Sequence, residues 1–193
     1  MTAIVSTTEL EAVNIMLDCI NEAPVSSLTG SGLVDVAKAK DTLSEVSREV
    51  QEKGWHFNTE YDYPLTRDVD GYIPLATNMA RVDVNECYTR HDAVQRGARL
   101  YWLNEHTYVF DQDLEGEVIF YLPWTDLPQA ARQYITIRAA RRFQGRQLGS
   151  DTKHKFSETD EMTAMTSMQR SELNSSDVNM LNSSYSVYNI LGR

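Results

Sequence analysis

VAKAKDTLSEVSREVQEKGWHFN, residues 36–58, holds the clearest periodic signal in the chain and ends abruptly in a different kind of sequence. Val36, Ala39, Leu43, Val46 and Val50 recur at the three-and-four spacing of one helix face, while Lys40, Ser44, Glu45, Arg48, Glu49 and Glu52 fill the rest. That is an amphipathic helix. Gly54 follows it, a residue free to take the left-handed conformation that stops helices, and the aromatic-rich Trp55-His56-Phe57-Asn58 comes next. The pattern predicts a helix feeding a strand.

Upstream, Thr8 followed three residues later by Glu11 has the form of a capping box, and Leu10, Val13, Ile15, Met16, Leu17 and Ile20 then supply a helix apolar on most sides that ends before Pro24. The turn-rich residues 24–32 join it to the long helix, so the chain is expected to open with an antiparallel helical pair. Downstream the period changes. Short runs rich in tyrosine, valine and isoleucine, at about 55–63, 71–75, 79–84, 86–90, 99–103, 107–111 and 116–122, predict a small antiparallel β region. Its expected hairpin core is Leu100-Tyr101-Trp102-Leu103 against Tyr108-Val109-Phe110 around Asn104-Glu105-His106.

Helix resumes at Thr125-Asp126-Leu127-Pro128, a cap followed by a first-turn proline, and continues to about Leu148 before Gly149. Residues 152–174 form a further helical stretch with Phe156, Met162, Met165, Met168 and Leu173 on one side. The fold class expected is α+β: a bundle of about four helices, from 1–54 and 125–174, carrying residues 55–124 as an inserted antiparallel β region. Residues 175–193 are expected to be a flexible tail. Val178, Leu181, Tyr185, Tyr188, Ile190 and Leu191 have no helical period among serines and asparagines, which suits either a frayed terminus or a segment that orders against a partner.

Composition narrows the function classes. In 193 residues the two cysteines, Cys19 and Cys87, form no CxxC motif and are read as reduced and buried. No charged-then-apolar leader opens the sequence and no apolar run approaches the ~20 residues of a membrane helix, so a soluble protein made in a cytoplasm, with no membrane partner, is expected. A formal net charge of −10 argues against a surface built to grip nucleic acid, though not against DNA sliding past an acidic wall.

No catalytic constellation emerges, and no cofactor is expected. His56, His91, His106 and His154 stand in no HExxH pattern. Residues 111–116, DQDLEG, begin like a calcium loop, but the twelfth position is Leu122 where a glutamate is needed. The phosphate-binding and nucleophile-elbow glycine patterns are absent. Two Asn-Ser-Ser sequons, at Asn174 and Asn182, have no use in a chain that is not secreted. Glu9, Glu11 and Glu22, or Glu158, Asp160 and Glu161, read more simply as solvated helix faces than as a glycosidase acid pair. The unusual cluster is basic. Arg132, Arg138, Arg141, Arg142 and Arg146 lie on one helix, and Arg138, Arg142 and Arg146 share a face. They suit a subunit interface, DNA backbone contact, or pairing within the chain to Glu45, Glu49 or Glu52, the first being favoured.

Three segments, in order, then resemble a known family. They are Glu9-Leu10-Glu11-Ala12-Val13-Asn14 through Ala23-Pro24-Val25-Ser26-Ser27-Leu28, the long helix ending Lys53-Gly54-Trp55-His56-Phe57-Asn58, and Leu127-Pro128 leading into residues 132–143, RQYITIRAARRF. With the β insertion between them they resemble the tail tubular protein A family of short-tailed phages (podoviruses), the adaptor or gatekeeper ring below the portal, over residues 9–148. The resemblance implies a virion tail protein forming a ring of about twelve copies. Its partners would be the portal protein, the nozzle protein (tail tubular protein B) and the tail fibre protein, with DNA passing through the lumen during ejection. On this reading Arg138, Arg142 and Arg146 face a neighbouring subunit and the tail residues Val178 to Leu191 dock into the portal. A glycan- or peptidoglycan-degrading tail protein and a different head-completion connector remain the alternatives.

Overall fold

Thr8 begins the first helix as expected. Its hydroxyl accepts the Glu11 amide at 3.2 Å, and its own amide donates to the Glu11 carboxylate at 2.8 Å. This reciprocal pair satisfies two donors that a helix start leaves open. The computed structural model describes residues 5–29, 34–84, 92–148 and 156–175. Among them the elements run α1 (Glu9–Asp18), α2 (Val34–Gln51), β1 (Thr59–Leu65), β2 (Met79–Val84), β3 (Ala93–Arg96), β4 (Arg99–Trp102), β5 (Leu114–Phe120), α3 (Gln129–Leu148) and α4 (Glu158–Ser175). The fold is α+β, four helices with small antiparallel sheets.

The first helix stops earlier than the apolar run suggested. Asn21 takes φ 60°, and the Leu17 carbonyl accepts both Ile20 and Glu22 amides, a left-handed stop in which Asn supplies the conformation. The connection that follows is tied back, because the Asn14 side chain bonds both the amide and the carbonyl of Val25 at 2.9 and 3.0 Å. In α2 the expected stripe is buried in full: Val36, Ala39, Leu43, Val46 and Val50 are all at most 3% exposed. Helix α3 packs against α1, α2 and α4. It contributes Ala131, Tyr134, Ile135, Ala139, Ala140 and Phe143 to one core, and burial of each large side chain there contributes roughly 1.5–3 kcal/mol.

The cap expected at Thr125-Asp126 is a short 3₁₀ turn over Trp124–Asp126, and the helix proper starts at Gln129, the Pro128 carbonyl accepting the first helical bond from Arg132. Helix α4 is capped by Ser157, whose hydroxyl and amide exchange bonds with Asp160. Its apolar residues divide between two sides. Met168 is buried and Phe156 and Met165 pack on the core, whereas Met162 and Leu173 are each 65% exposed.

In the β region, β5 is central, with β1 and β2 antiparallel on either side. Leu65, Val82, Val84, Leu114 and Val118 from these strands, with Ile73, Leu75, Leu100 and Phe110, make a second core cluster. The expected strand at residues 55–63 begins only at Thr59, because His56–Asn58 form a 3₁₀ turn. Residues 71–75 and 107–111 make isolated bridges (Tyr72 to Val109, Pro74 to Arg99, Trp102 to Thr107) rather than ladder strands, and 86–90 lie outside the described residues.

The hairpin core is also different from the expectation. Strand β4 pairs with β3, Arg96 opposite Arg99, across Gly97-Ala98 with Gly97 at φ 63°. A two-residue loop with a positive φ matches the twist of paired strands, so this side takes the ladder. The Asn104–His106 side closes with the pair of bonds between Trp102 and Thr107 and a turn bond from His106 N to Leu103 O, without a second ladder pair.

Candidate functional site

The bundle and the β region meet at a polar joint that the sequence did not advertise. Gln51, the last residue of α2, is 2% exposed and Asn58, just before β1, is 3% exposed. The Gln51 amide oxygen accepts from Leu122 N at 2.7 Å, and its Nε2 donates to Leu122 O at 3.3 Å and Ser47 Oγ at 3.0 Å. Asn58 Oδ1 accepts from Trp55 N at 2.8 Å, while Nδ2 donates to Gln51 O at 3.0 Å and Phe120 O at 2.8 Å. Every polar atom of both side chains is thus used, and the exit of α2 is fastened to the exit of β5. A fully satisfied buried network of this kind fixes one geometry. Gly54 lets the chain make the corner: at φ 72° it sits where a Cβ would lie 2.6 Å from Ile119 Cδ1. The only available sequence signal was that Asn58 closes an aromatic run, which is not enough to identify such a joint.

The arginine face on α3 is met by the acidic face of α2, the two helices running antiparallel. Arg142 grips Glu49 with both terminal nitrogens, at 2.6 and 2.7 Å, and reaches Glu45 at 3.3 Å. Arg146 grips Glu45 at 2.7 and 3.0 Å. Arg138 bonds Glu49 at 3.1 Å and the Tyr134 hydroxyl at 3.0 Å. The three arginines, for which the sequence favours a subunit interface, are brought together by the in-chain pairing that is its alternative, as a ladder on Glu45 and Glu49. Electrostatics follow the geometry. The bond to Arg146 holds Glu45 below its ordinary value, the bond to Arg142 does the same for Glu49, and both arginines are pushed up in turn. Arg146 remains half-exposed, while Arg138 and Arg142 keep a quarter of their side-chain surface in solvent.

The other two arginines serve different ends. Arg141 pairs with Glu161 of α4, and a cleft bordered by Arg138, Arg141, Arg142 and Glu161 opens beside that pair. Arg132 donates to the Leu127, Thr125 and Thr7 carbonyls at 2.8, 2.7 and 3.1 Å, strapping the amino-terminal segment to the start of α3. Trp124 Nε1 and the Gln129 side chain complete that strap on Thr7.

The remaining candidates can be placed. Asp113 of the calcium-like turn is committed to Arg67, and Leu122 at its twelfth position bonds Gln51. Glu11 and Asp160 are helix caps and Glu161 is an ion-pair partner. No cluster of metal-binding side chains occurs among the described residues. Cys19 is buried, its thiol donating to Ile15 O at 3.2 Å and pushed up by burial. Cys87, His91, His154 and the tail residues Val178, Leu181, Tyr185, Tyr188, Ile190 and Leu191 lie outside the described residues. No helix among the described residues is long and apolar enough to cross a membrane.

The family model for tail tubular protein (Tube) matches residues 10–178. The chain is also similar to Tail tubular protein A of Klebsiella phage KP34, 24% identical over 146 residues that cover 76% of each chain.

Proposed function

Since the chain belongs to the tail tubular protein family, a structural component of the phage tail, we propose that it is the adaptor ring joining the portal to the tail nozzle. The observation that carries this reading is the family match over residues 10–178, which takes in both cores and the joint between them. The fold supports it. A ring built head to tail needs subunits whose two ends hold a fixed relation, since a small error per copy prevents closure. The Gln51–Asn58–Leu122 joint supplies such a relation between helices and sheet. Two separate cores likewise support residues 1–54 and 125–174 as one helical unit that carries 55–124 as an insertion.

Neighbouring copies meet, on this proposal, through the helical side. Outward-facing Met162, Thr166 and Leu173 on α4 lie opposite its buried Ala164 and Met168, and residues 162–169 carry no charge, unlike the heavily charged outer face of α2. Arg146 and the solvent edges of Arg138 and Arg142 add cationic groups to the same bundle. The tail from Val178 to Leu191 docks into the portal, and the fibre protein binds near the nozzle joint. The net charge of −10 keeps the lumen from holding DNA phosphates during ejection. Assembly takes place in the host cytoplasm.

The test is to mix the purified chain with portal rings of the same phage and record native mass and images. One added ring of about twelve copies on each portal is the expected result. A chain that stays monomeric and leaves the portal bare overturns the reading.

A further inference from the structure

Val69 is the most exposed apolar side chain in the described structure, fully in solvent, and it stands at the tip of a turn that is anything but loose. The Asp68 carboxylate accepts the amides of Asp70 and Tyr72 at 3.0 and 2.8 Å, the Asp68 amide donates to Tyr72 O at 2.7 Å, and Gly71 N closes on Asp68 O at 3.1 Å. Next to it, Arg67 N donates to Asp113 Oδ1 at 3.0 Å with an ion pair behind it, and Phe110 N donates to Gly71 O at 2.9 Å. None of these bonds needs an apolar residue at position 69. The turn holds a valine out in water.

Its surroundings look like the centre of an interface. The Val109 side chain lies over the turn, 2.9 Å from where a Gly71 Cβ would be, and is itself 46% exposed. Tyr72 bridges Val109 across the backbone and carries the Arg99 guanidinium 4.4 Å above its ring. An apolar and aromatic centre with an arginine on it, inside a polar rim, is the usual anatomy of a protein contact. The rim is acidic on balance: Asp68, Asp70, Asp111 and Asp113 lie in the two loops that the Arg67–Asp113 and Phe110–Gly71 bonds join, against Arg67, which is paired with Asp113, and Arg99 over Tyr72.

We propose that this end of the β region is a docking surface for a different tail protein, one that offers an apolar socket rimmed by lysine or arginine. It rests on the adaptor reading above and names the surface that the adaptor turns toward the nozzle. Charge complementarity selects the occupant. A second copy, of net charge −10, brings its α3 arginines Arg138, Arg141, Arg142 and Arg146 already paired to Glu45, Glu49 and Glu161, whereas a partner's basic rim with no such pairing is drawn in and oriented. The pinned turn lowers the ordering cost of binding, so a small knob is enough to matter.

The probe is the purified nozzle protein of the same phage, added to rings assembled on portals from the full chain and from Val69→Ser and Asp70→Lys. Val69→Ser changes no buried contact, so its melting temperature and its ring on the portal stay as in the unaltered chain. Expected is a tenfold or greater loss of nozzle affinity in each variant, with binding by the unaltered ring weakening as salt rises. Unchanged affinity in both variants overturns the proposal, as does an unaltered ring that takes up no nozzle protein. Variants that instead change ring formation assign the patch to contacts between copies, and overturn it too. Failure of the unaltered chain to form rings on the portal is a separate result, which removes the adaptor reading itself.

Discussion

At the scale of the residue, close approach and charge decide what can be changed. Gly116 in the middle strand sits where a Cβ would lie 2.4 Å from the Asp83 carbonyl oxygen, a backbone atom that cannot swing away. Gly97 has φ 63° and open space around it. Gly116→Ala is therefore expected to cost about 2–3 kcal/mol through overpacking, and Gly97→Ala about 1 kcal/mol through its left-handed backbone alone. Urea midpoints at equal slope would rank the two, and equal losses would contradict the packing argument. The arginine ladder gives a pH signature. Glu45 and Glu49 have folded pKa values below their ordinary 4.5, so their contribution is complete above 4.5 and is lost as pH falls through the lower folded values. In Glu49→Gln the melting temperature should decline less steeply below pH 4.5 than in the unaltered chain, since a group that no longer takes up a proton no longer adds to the slope. Parallel acid profiles for the two proteins would show that Glu49 contributes nothing to the acid dependence.

At the scale of the element, the joint between α2 and β1 makes the sharpest claim. Asn58→Ala removes one acceptor and two donations at once, leaving Trp55 N, Gln51 O and Phe120 O without that partner in a buried place. A loss of roughly 3 kcal/mol or more is expected in thermal or urea unfolding, and a loss under about 1 kcal/mol would mean that water repairs the joint. The same element marks the limit of what the sequence discloses. Helices α2 and α3 were legible because burial of one stripe every three or four residues is a local rule, and the Thr8–Glu11 cap because it is a local bond. Strand runs were legible as β material but not as partners: Arg99–Trp102 could pair on either side, and the Gly97-Ala98 turn decided it. Gln51 and Asn58 are ordinary polar letters whose role depends on Phe120 and Leu122, about 60 to 70 residues away. Met162 and Leu173 share a helix with Met168 but face away from it, a distinction of angle that a list of apolar positions blurs. For the arginines, spacing revealed a shared face and offered Glu45, Glu49 or Glu52 as in-chain partners beside a subunit interface or DNA, and the packing of α2 on α3 selected Glu45 and Glu49.

At the scale of the whole molecule, the question the adaptor proposal raises is how a negatively charged chain of 193 residues would sit between two different neighbours. The helical side offers the α4 face of Met162, Thr166 and Leu173 with Arg170 beside it, and residues 176–193 follow Ser175 in sequence, whereas the far end of the β region offers the Val69 turn and its acidic rim. If the tail is the portal anchor, ending the chain after Ser175 keeps α4 whole and removes Val178, Leu181, Tyr185, Tyr188, Ile190 and Leu191 together. The shortened chain should then keep its melting temperature within about 2 °C, because among the described residues every member of both cores lies before the cut and a change under ~0.5 kcal/mol moves a domain of this size little. Its attachment to portal rings should fall at least tenfold in native mass and sedimentation measurements. A drop in melting temperature along with attachment would instead make the tail part of the subunit's own fold. Retained attachment at full strength would move the portal contact onto the bundle, where the Met162–Leu173 face and Arg146 become the next surface to alter.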